Sequence, residues 1–212
     1  MQADSVTENR SAGRPREFDR DVALNAAIMV FWQKGYEGTS MAELTRAMGI
    51  SKPTLYASFG DKETLLREAV RTYMGLHAEA YATALNHPTS RQVAEAWLRL
   101  TGGVRKEAGV PAGCLLVQGA LVGSEASLPV QQELAAIRNG GTKMLEKRLR
   151  RAKKEGDLPG SWEPGPLAQY LSALASGLAV QSSSGVPSAV LNRTIDQVMA
   201  NWPSTQTTNV KR

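Results

Sequence analysis

Apolar residues recur at intervals of three and four along most of this chain, the spacing that places side chains on one face of a helix. In the first such stretch, which follows Asp19 and ends near Lys34, Val22, Ala26 and Val30 belong to a broad apolar stripe. The pattern predicts an all-α fold of about nine helices. After the first helix and two short ones, the predicted helices span approximately 61–86, 90–101, 112–124, 128–155, 167–184 and 188–202.

The two short helices carry clear start signals. Ser40 and Glu43 form the S-x-x-E pattern of a capping box. Gly49 ends this helix, because glycine adopts a left-handed turn without steric cost. Ser51 is placed as the N-cap of the next helix, and Pro53 falls in its first turn, where a missing N–H does no harm. Two short helices joined by a glycine turn predict a helix-turn-helix.

The second short helix has an unusual outward face. Leu55 and Phe59 point inward at i, i+4, so the remaining side chains must face solvent or a partner. They offer a cation, hydroxyl groups and an aromatic ring, with no carboxylate: Lys52, Thr54, Tyr56 and Ser58. DNA phosphates and base edges suit such a surface.

The segment SKPTLYASFGDKETLL, within a stretch from about Arg16 to Met74, resembles the DNA-binding domain of the TetR family of bacterial transcriptional repressors. The resemblance implies a three-helix DNA-binding head, a long connecting helix, and a helical body that binds a small molecule and dimerises. On this basis we expect a DNA-binding domain at 16–76, with its motif at about 39–59, and a ligand-binding and dimerisation domain at 77–203. Residues 1–15 read as a disordered basic arm and 204–212 as a disordered tail.

The residues expected to contact DNA come from three helix starts and the recognition helix. Unpaired N–H groups at the start of a helix favour a phosphate near Thr39 and Ser40, and the resemblance gives Lys62 the same role. Arg46 is a base or phosphate contact, or simply a surface arginine. The complete expected set is Thr39, Ser40, Arg46, Ser51, Lys52, Pro53, Thr54, Leu55, Tyr56 and Lys62.

Composition excludes several other classes. The chain has 212 residues, a formal net charge of +5 and a single cysteine, so an internal disulfide is impossible and a four-ligand zinc site is improbable. Over residues 1–62 eight cations face eight carboxylates, so bulk charge does not reveal the DNA-binding head. The chain has no apolar run of about 18 residues, which argues against a membrane span. The N-terminus lacks the apolar core of a secretory signal, which predicts a cytoplasmic location.

The body offers a candidate pocket. Pockets between helices are lined mainly by apolar and aromatic side chains with a few polar groups, which makes Trp97, Leu116, Gln118 and Leu121 candidate ligand contacts, although most such residues are plain core. Cys114 has two readings, as an oxidant sensor and as a buried free cysteine.

The last two predicted helices form a hairpin with a wide apolar face. In the TetR family such a hairpin supplies a two-fold four-helix interface, and the alternative is that both helices complete the core of one chain. The candidate interface residues are Leu171, Leu174, Leu178, Leu191, Ile195, Val198 and Met199.

These patterns lead to a homodimeric regulator that binds double-stranded DNA, most simply a repressor released from a palindromic operator by an unknown small-molecule inducer. No cofactor, metal or membrane partner is expected. A ligand-independent DNA-binding activator or scaffold is the first alternative. An enzyme using Cys114 is the second, and it has no phosphate loop, nucleophile elbow or recognisable nucleophile pair in the sequence to support it.

Overall fold

The computed structural model describes residues 18–104, 109–118 and 125–202. Across these residues it contains nine α-helices and one 3₁₀ turn, and no strand, which confirms the predicted all-α fold. The helices are α1 Arg20–Lys34, α2 Met41–Met48, α3 Lys52–Phe59, α4 Lys62–Leu85, α5 Ser90–Thr101, α6 Leu115–Gln118, α7 Leu128–Lys154, α8 Pro164–Ser183 and α9 Ser188–Ala200. The predicted arm at 1–15 and tail at 204–212 lie outside the described residues.

The first helix is fixed at both ends by the predicted caps. The Asp19 carboxylate accepts from the N–H groups of Asp21 and Val22, at 2.9 and 3.1 Å. Gly35 closes the helix with φ 68° and donates its N–H to the Phe31 carbonyl. The expectation that Val22 faces inward is wrong, because Val22 is 65% exposed. The buried stripe of this helix begins at the next residue along the chain.

The two short helices also begin and end at the predicted residues. Ser40 and Glu43 form a complete capping box at α2, and Ser51 caps α3 with Pro53 in the first turn. Gly49 ends α2 in the left-handed region, at φ 67° and ψ 25°. The helix-turn-helix therefore follows from local signals at every junction.

The long helix α4 joins the head to the body. Its 24 residues give it a length of about 36 Å. Near its start Leu65 and Leu66 pack in the head with Phe31, Leu44 and Leu55. Residues 114–117 and parts of α7 and α8 belong to the same apolar cluster, so the head and the body share one core. The expected boundary between residues 76 and 77 falls inside α4.

The remaining helices enclose a second apolar core. Helix α8 packs against both α5 and α7, and α9 packs against α5 and α8. Arg148 of α7 ties this core to the end of α4, because its guanidinium donates to the backbone carbonyls of Leu85, His87 and Pro88 at 2.9–3.1 Å.

Two predicted helix starts differ from the structure. Helix α8 begins at Pro164, three residues before the predicted start at Leu167, because a proline in a first turn needs no N–H partner. The helix predicted from Ala112 begins only at Leu115, since Gly113 has a φ of 85°. Residues 119–124 lie outside the described part of the chain. None of the described helices combines the length and apolarity needed to cross a bilayer.

Candidate nucleic-acid interface and body cavity

Helix α3 is anchored on one side and open on the other. Leu55 is 0% exposed and Phe59 is buried beside it, whereas Tyr56 is 47% exposed. Lys52 and Pro53 are exposed as well, and Thr54 is half-exposed. The inclusion of Leu55 among the DNA contacts is wrong, because its side chain lies wholly in the core behind the helix.

The start of α3 is organised by its own hydroxyl groups. The Ser51 hydroxyl accepts from the Thr54 N–H at 3.2 Å and lies 2.7 Å from the Thr54 hydroxyl. The Lys52 ammonium is 6.0 Å from the centre of the Tyr56 ring. The first contact fixes Thr54 to the N-cap of α3, and the second places Lys52 near Tyr56 on its exposed surface.

Arg20 clamps the far end of α3, a role that the sequence did not reveal. Its guanidinium lies 4.4 Å from the Phe59 ring centre, donates to the Ser58 carbonyl at 3.2 Å, and pairs with both carboxylate oxygens of Glu68. The hydrogen bonds that Arg20 donates to Glu68 raise the pKa of Arg20. The clamp joins α1, α3 and α4, and so fixes the orientation of the outward face.

The start of α2 is less available for a phosphate than expected. Thr39 is 1% exposed, and its hydroxyl donates to the Gly35 carbonyl at 2.6 Å. The Thr39 side chain therefore completes the turn after α1, and the phosphate contact expected from backbone N–H groups near Thr39 stays a prediction. Ser40 remains exposed, but its N–H and hydroxyl both donate to the Glu43 carboxylate at 2.9 Å. Lys34 pairs with the same carboxylate.

Two cations border the outward face of α3. Arg46 of α2 is exposed, and no described residue pairs with it. The Lys62 ammonium, in the first turn of α4, stands 4.2 Å over the centre of the Tyr36 ring. Partial burial lowers the pKa of Lys62.

A cavity of about 510 Å³ lies in the body between α4, α5, α6, α7 and α8. Of the predicted ligand contacts, Trp97 and Leu116 line it. Gln118 does not, because its amide donates to the Ala112 carbonyl at 3.1 Å and closes that loop instead. Leu121 lies outside the described residues. Three further residues line the cavity that the sequence did not suggest, Arg138, Gly140 and Gly141. The one hint in the sequence was the presence of two adjacent glycines inside a long helix.

Cys114 is buried and also borders this cavity. The Tyr73 hydroxyl lies 3.8 Å from its sulfur, and the His77 ring stacks on the Tyr73 ring at 4.3 Å. Burial raises the pKa of Tyr73, so it stays a neutral hydroxyl. Among the described residues the sulfur has no imidazole partner, so the contacts of Cys114 do not resemble those of an activated nucleophile.

Most of the predicted dimer residues are buried in the core of a single chain. Five of them are buried at 3% exposure or less: Leu171, Leu178, Leu191, Ile195 and Met199. Their assignment to an interface is wrong, because no surface remains for a partner. Leu174 and Val198 are partly buried and stay candidates.

This geometry defines a helix-turn-helix DNA-binding protein with a ligand-sized cavity in its helical body. A family model described as bacterial regulatory proteins, tetR family, matches residues 23–69. The transcriptional repressor ComR of Escherichia coli is 28% identical over 92% of this chain and 93% of its own length. The transcriptional regulator YezE of Bacillus subtilis is 32% identical over 75% of this chain and 83% of its own length.

Among solved structures, a cysteine mutant of the TetR family regulator CifR in complex with a 26-base-pair operator duplex is 39% identical to this chain. It superposes with a TM-score of 0.83, over 90% of this chain and 100% of the CifR chain. The chain belongs to the TetR family of bacterial regulatory proteins. It is accordingly a transcriptional regulator, as its relatives are.

Proposed function

We propose that this regulator is a homodimeric repressor that holds a palindromic operator through α3 and leaves it when a small molecule fills the body cavity. The observation that carries the proposal is the outward surface of α3, where Lys52, Thr54 and Tyr56 are accessible. Helix α3 is described throughout, and it carries no carboxylate on that surface. Ammonium and hydroxyl groups bind phosphates and base edges, and CifR supports this use because its structure contains operator DNA.

We divide the DNA contacts by chemistry. Lys52 and Thr54 at the start of α3 enter the major groove, since the first turns of a recognition helix contact base edges. Tyr56, Arg46 and Lys62 surround them and bind phosphates. Ser51, Pro53 and Ser40 lie at the helix starts, where backbone contacts to phosphate are available.

The interface is tested with DNA that the purified protein selects from a random pool. Fluorescence anisotropy then compares the selected duplex with a random one for each variant. We expect Tyr56→Ala and Lys62→Ala to weaken binding to both duplexes equally, whereas Thr54→Ala should change the base preference, by about 1–3 kcal/mol at the affected position. Lys143→Ala, an exposed cation on α7, is the matched control. Unchanged affinity in Lys62→Ala would remove the phosphate role.

The proposed dimer uses the face of α8 that the chain leaves uncovered. Tyr170, Ala173, Gly177 and Gln181 are exposed at successive turns of α8, with Leu174 beside them. Small side chains let two helices approach closely, and a two-fold axis through such a stripe gives a self-complementary contact. This face replaces the buried residues that the sequence pattern suggested.

Helix α4 supports control by ligand because it contacts both the core of the DNA-binding head and the body cavity. Leu65 and Leu66 near its start lie in the core of the head, and Met74 and Tyr81 further along line the cavity. A molecule that binds better to a cavity with α4 displaced would shift the population toward separated heads. The assignment of residues 16–76 to DNA binding and 77–203 to ligand binding and dimerisation is part of this proposal.

The ligand-independent alternative is separated from the proposal by one comparison. Addition of metabolite extract fractions to the protein–operator complex should release the duplex for at least one fraction. Release should disappear when the cavity is filled by Ala78→Trp, while operator affinity stays unchanged. Release that persists in Ala78→Trp would contradict control through this cavity.

A further inference from the structure

The body cavity has an unbalanced charge. Arg138 is the single cation among the described residues that line it, and none of those residues is a carboxylate. Much of the remaining wall is apolar or small, with Met74, Trp97 and Ile137 among its larger members. Charges interact more strongly where water is partly excluded, so one cation in such a wall favours an anionic guest over a neutral or cationic one.

The Arg138 guanidinium is only partly satisfied by the protein. Nη1 donates to the Leu116 carbonyl at 2.5 Å, and no other acceptor among the described residues bonds to it. A guanidinium has five N–H donors in a planar fork, so most of them stay available to a guest. Burial lowers the pKa of Arg138 by withdrawing water from the charge. An anion beside it would offset that cost.

A second cavity-lining group also lacks a partner. Trp97 is 3% exposed, and its indole N–H has no acceptor among the described residues. That nitrogen is also closed to solvent, so Trp97 contributes to the cavity wall through its ring and not through this donor. The Tyr81 ring meets Trp97 edge to face, with ring centres 5.9 Å apart, and together they give the guest an aromatic wall.

Two adjacent glycines keep space open on the opposite side. Gly140 and Gly141 lie inside α7, where each glycine costs about 0.5–1 kcal/mol relative to alanine. A Cβ on Gly141 would lie 3.3 Å from the Trp97 ring, and a Cβ on Gly140 would meet no heavy atom within 4 Å. An alanine at 141 would therefore press on the indole, whereas a side chain at the exposed position 140 would meet only open space.

We propose that the cavity takes a small carboxylate with an apolar body, whose carboxylate pairs with Arg138 while its body lies against Trp97 and Tyr81. The planar fork of arginine matches a carboxylate with two parallel hydrogen bonds. This assignment rests on the proposed function only in treating the cavity as the effector site. It adds the charge class of the effector and the residue that selects it.

Isothermal titration calorimetry on the full chain without DNA tests the assignment. The probes are octanoate and naphthalene-2-carboxylate, each compared with its uncharged primary amide. On the unaltered protein we expect the carboxylates to bind at least about tenfold more tightly than the amides, a ratio that corresponds to about 1.4 kcal/mol. This comparison needs no variant, so it stands whether or not a variant folds.

Arg138→Gln identifies the residue responsible. The preference for carboxylates should fall to about onefold in this variant, with amide binding retained. Arg150→Gln is the matched control, because Arg150 is an exposed cation on the same helix that pairs with Glu146 outside the cavity. Amides that bind as tightly as carboxylates, an Arg138→Gln protein that keeps the preference, or no binding by either carboxylate would each overturn the assignment.

The two proposals fail in different ways. Carboxylate binding that depends on Arg138 but leaves the operator complex intact would refute ligand-controlled release and keep the anion site. Release of the operator by uncharged compounds alone would refute the anion site and keep ligand-controlled release.

Discussion

The turn between α2 and α3 allows the role of backbone conformation to be tested without any change in packing. Gly49 lies at φ 67° and ψ 25°, and a Cβ added there meets no heavy atom within 4 Å. Gly75 lies inside α4 with ordinary helical geometry, and a Cβ there also meets nothing within 4 Å. The same glycine-to-alanine change is therefore free of clashes at both positions and differs only in backbone conformation.

The expected free-energy changes have opposite signs. A left-handed residue with a Cβ costs about 1–2 kcal/mol, and the reduced freedom of the unfolded chain returns about 0.4–1 kcal/mol. Gly49→Ala should therefore lower the free energy of unfolding by roughly 1 kcal/mol. Gly75→Ala should raise it by about 0.5–1 kcal/mol, because alanine is the better helix former. Gly49→Asn should lose less than Gly49→Ala, since asparagine tolerates the left-handed region.

Urea unfolding followed by circular dichroism measures these changes as shifts of the midpoint at constant slope. All variants must be compared at one protein concentration, because the proposed dimerisation would contribute to stability. Since Gly49 sets the angle at which α3 leaves α2, operator affinity should fall in Gly49→Ala as well. Midpoints that shift in the same direction for Gly49→Ala and Gly75→Ala would refute the reasoning from backbone conformation.

Four further predictions concern charge, capping, burial and the proposed dimer. Hydrogen bonds, above all the one from Lys34, lower the pKa of Glu43 from 4.5 to about 2. The ionised Glu43 carboxylate therefore stabilises the folded chain fully above the unfolded pKa, and this stabilisation is lost as the pH falls from 4.5 toward 2. Urea midpoints measured over that range should vary less with pH in Glu43→Gln, and equal pH profiles would contradict this. Arg148→Met should cost about 1–3 kcal/mol in urea unfolding, because three backbone carbonyls at the end of α4 lose their donor; a loss below about 0.5 kcal/mol would show that water replaces the donor. Ile195→Ala should cost about 2–5 kcal/mol by opening a cavity in the core, whereas Ala173→Arg should leave the chain folded and convert the dimer to monomer in light scattering. A stable dimer of Ala173→Arg would remove the exposed α8 face as the interface.

The predicted dimer residues show that an apolar pattern does not tell an interface from a core. The apolar stripes of α8 and α9 correctly predict that Leu171, Leu191 and Ile195 are buried, but a stripe does not specify which surface buries it. In the structure the core of the same chain covers them. The surface left for a partner carries Ala173 and Gly177, small residues that a search for large apolar side chains passes over.

The DNA-binding head could be predicted from sequence because its determinants are local. The caps at Asp19, Ser40 and Ser51, and the left-handed turn at Gly49, each involve residues within about four positions of one another, so spacing along the chain already fixes the geometry. The outward face of α3 then follows from two inward residues. Thr39 shows the limit of this reasoning, because spacing alone did not reveal that its hydroxyl bonds to the Gly35 carbonyl four residues back.

The body cavity was decided only by tertiary structure. An apolar pattern records which side chains avoid water, whereas a cavity is space that helices far apart in sequence leave unfilled when they pack. Arg138 reads in the sequence as one of many cations along α7, and only the packing of other helices around it partly withdraws its water. The sequence thus determined where most of the described helices start, stop and turn, because those preferences act between neighbours along the chain. Which faces meet, and what remains between them, depended on contacts between residues that only folding brings together.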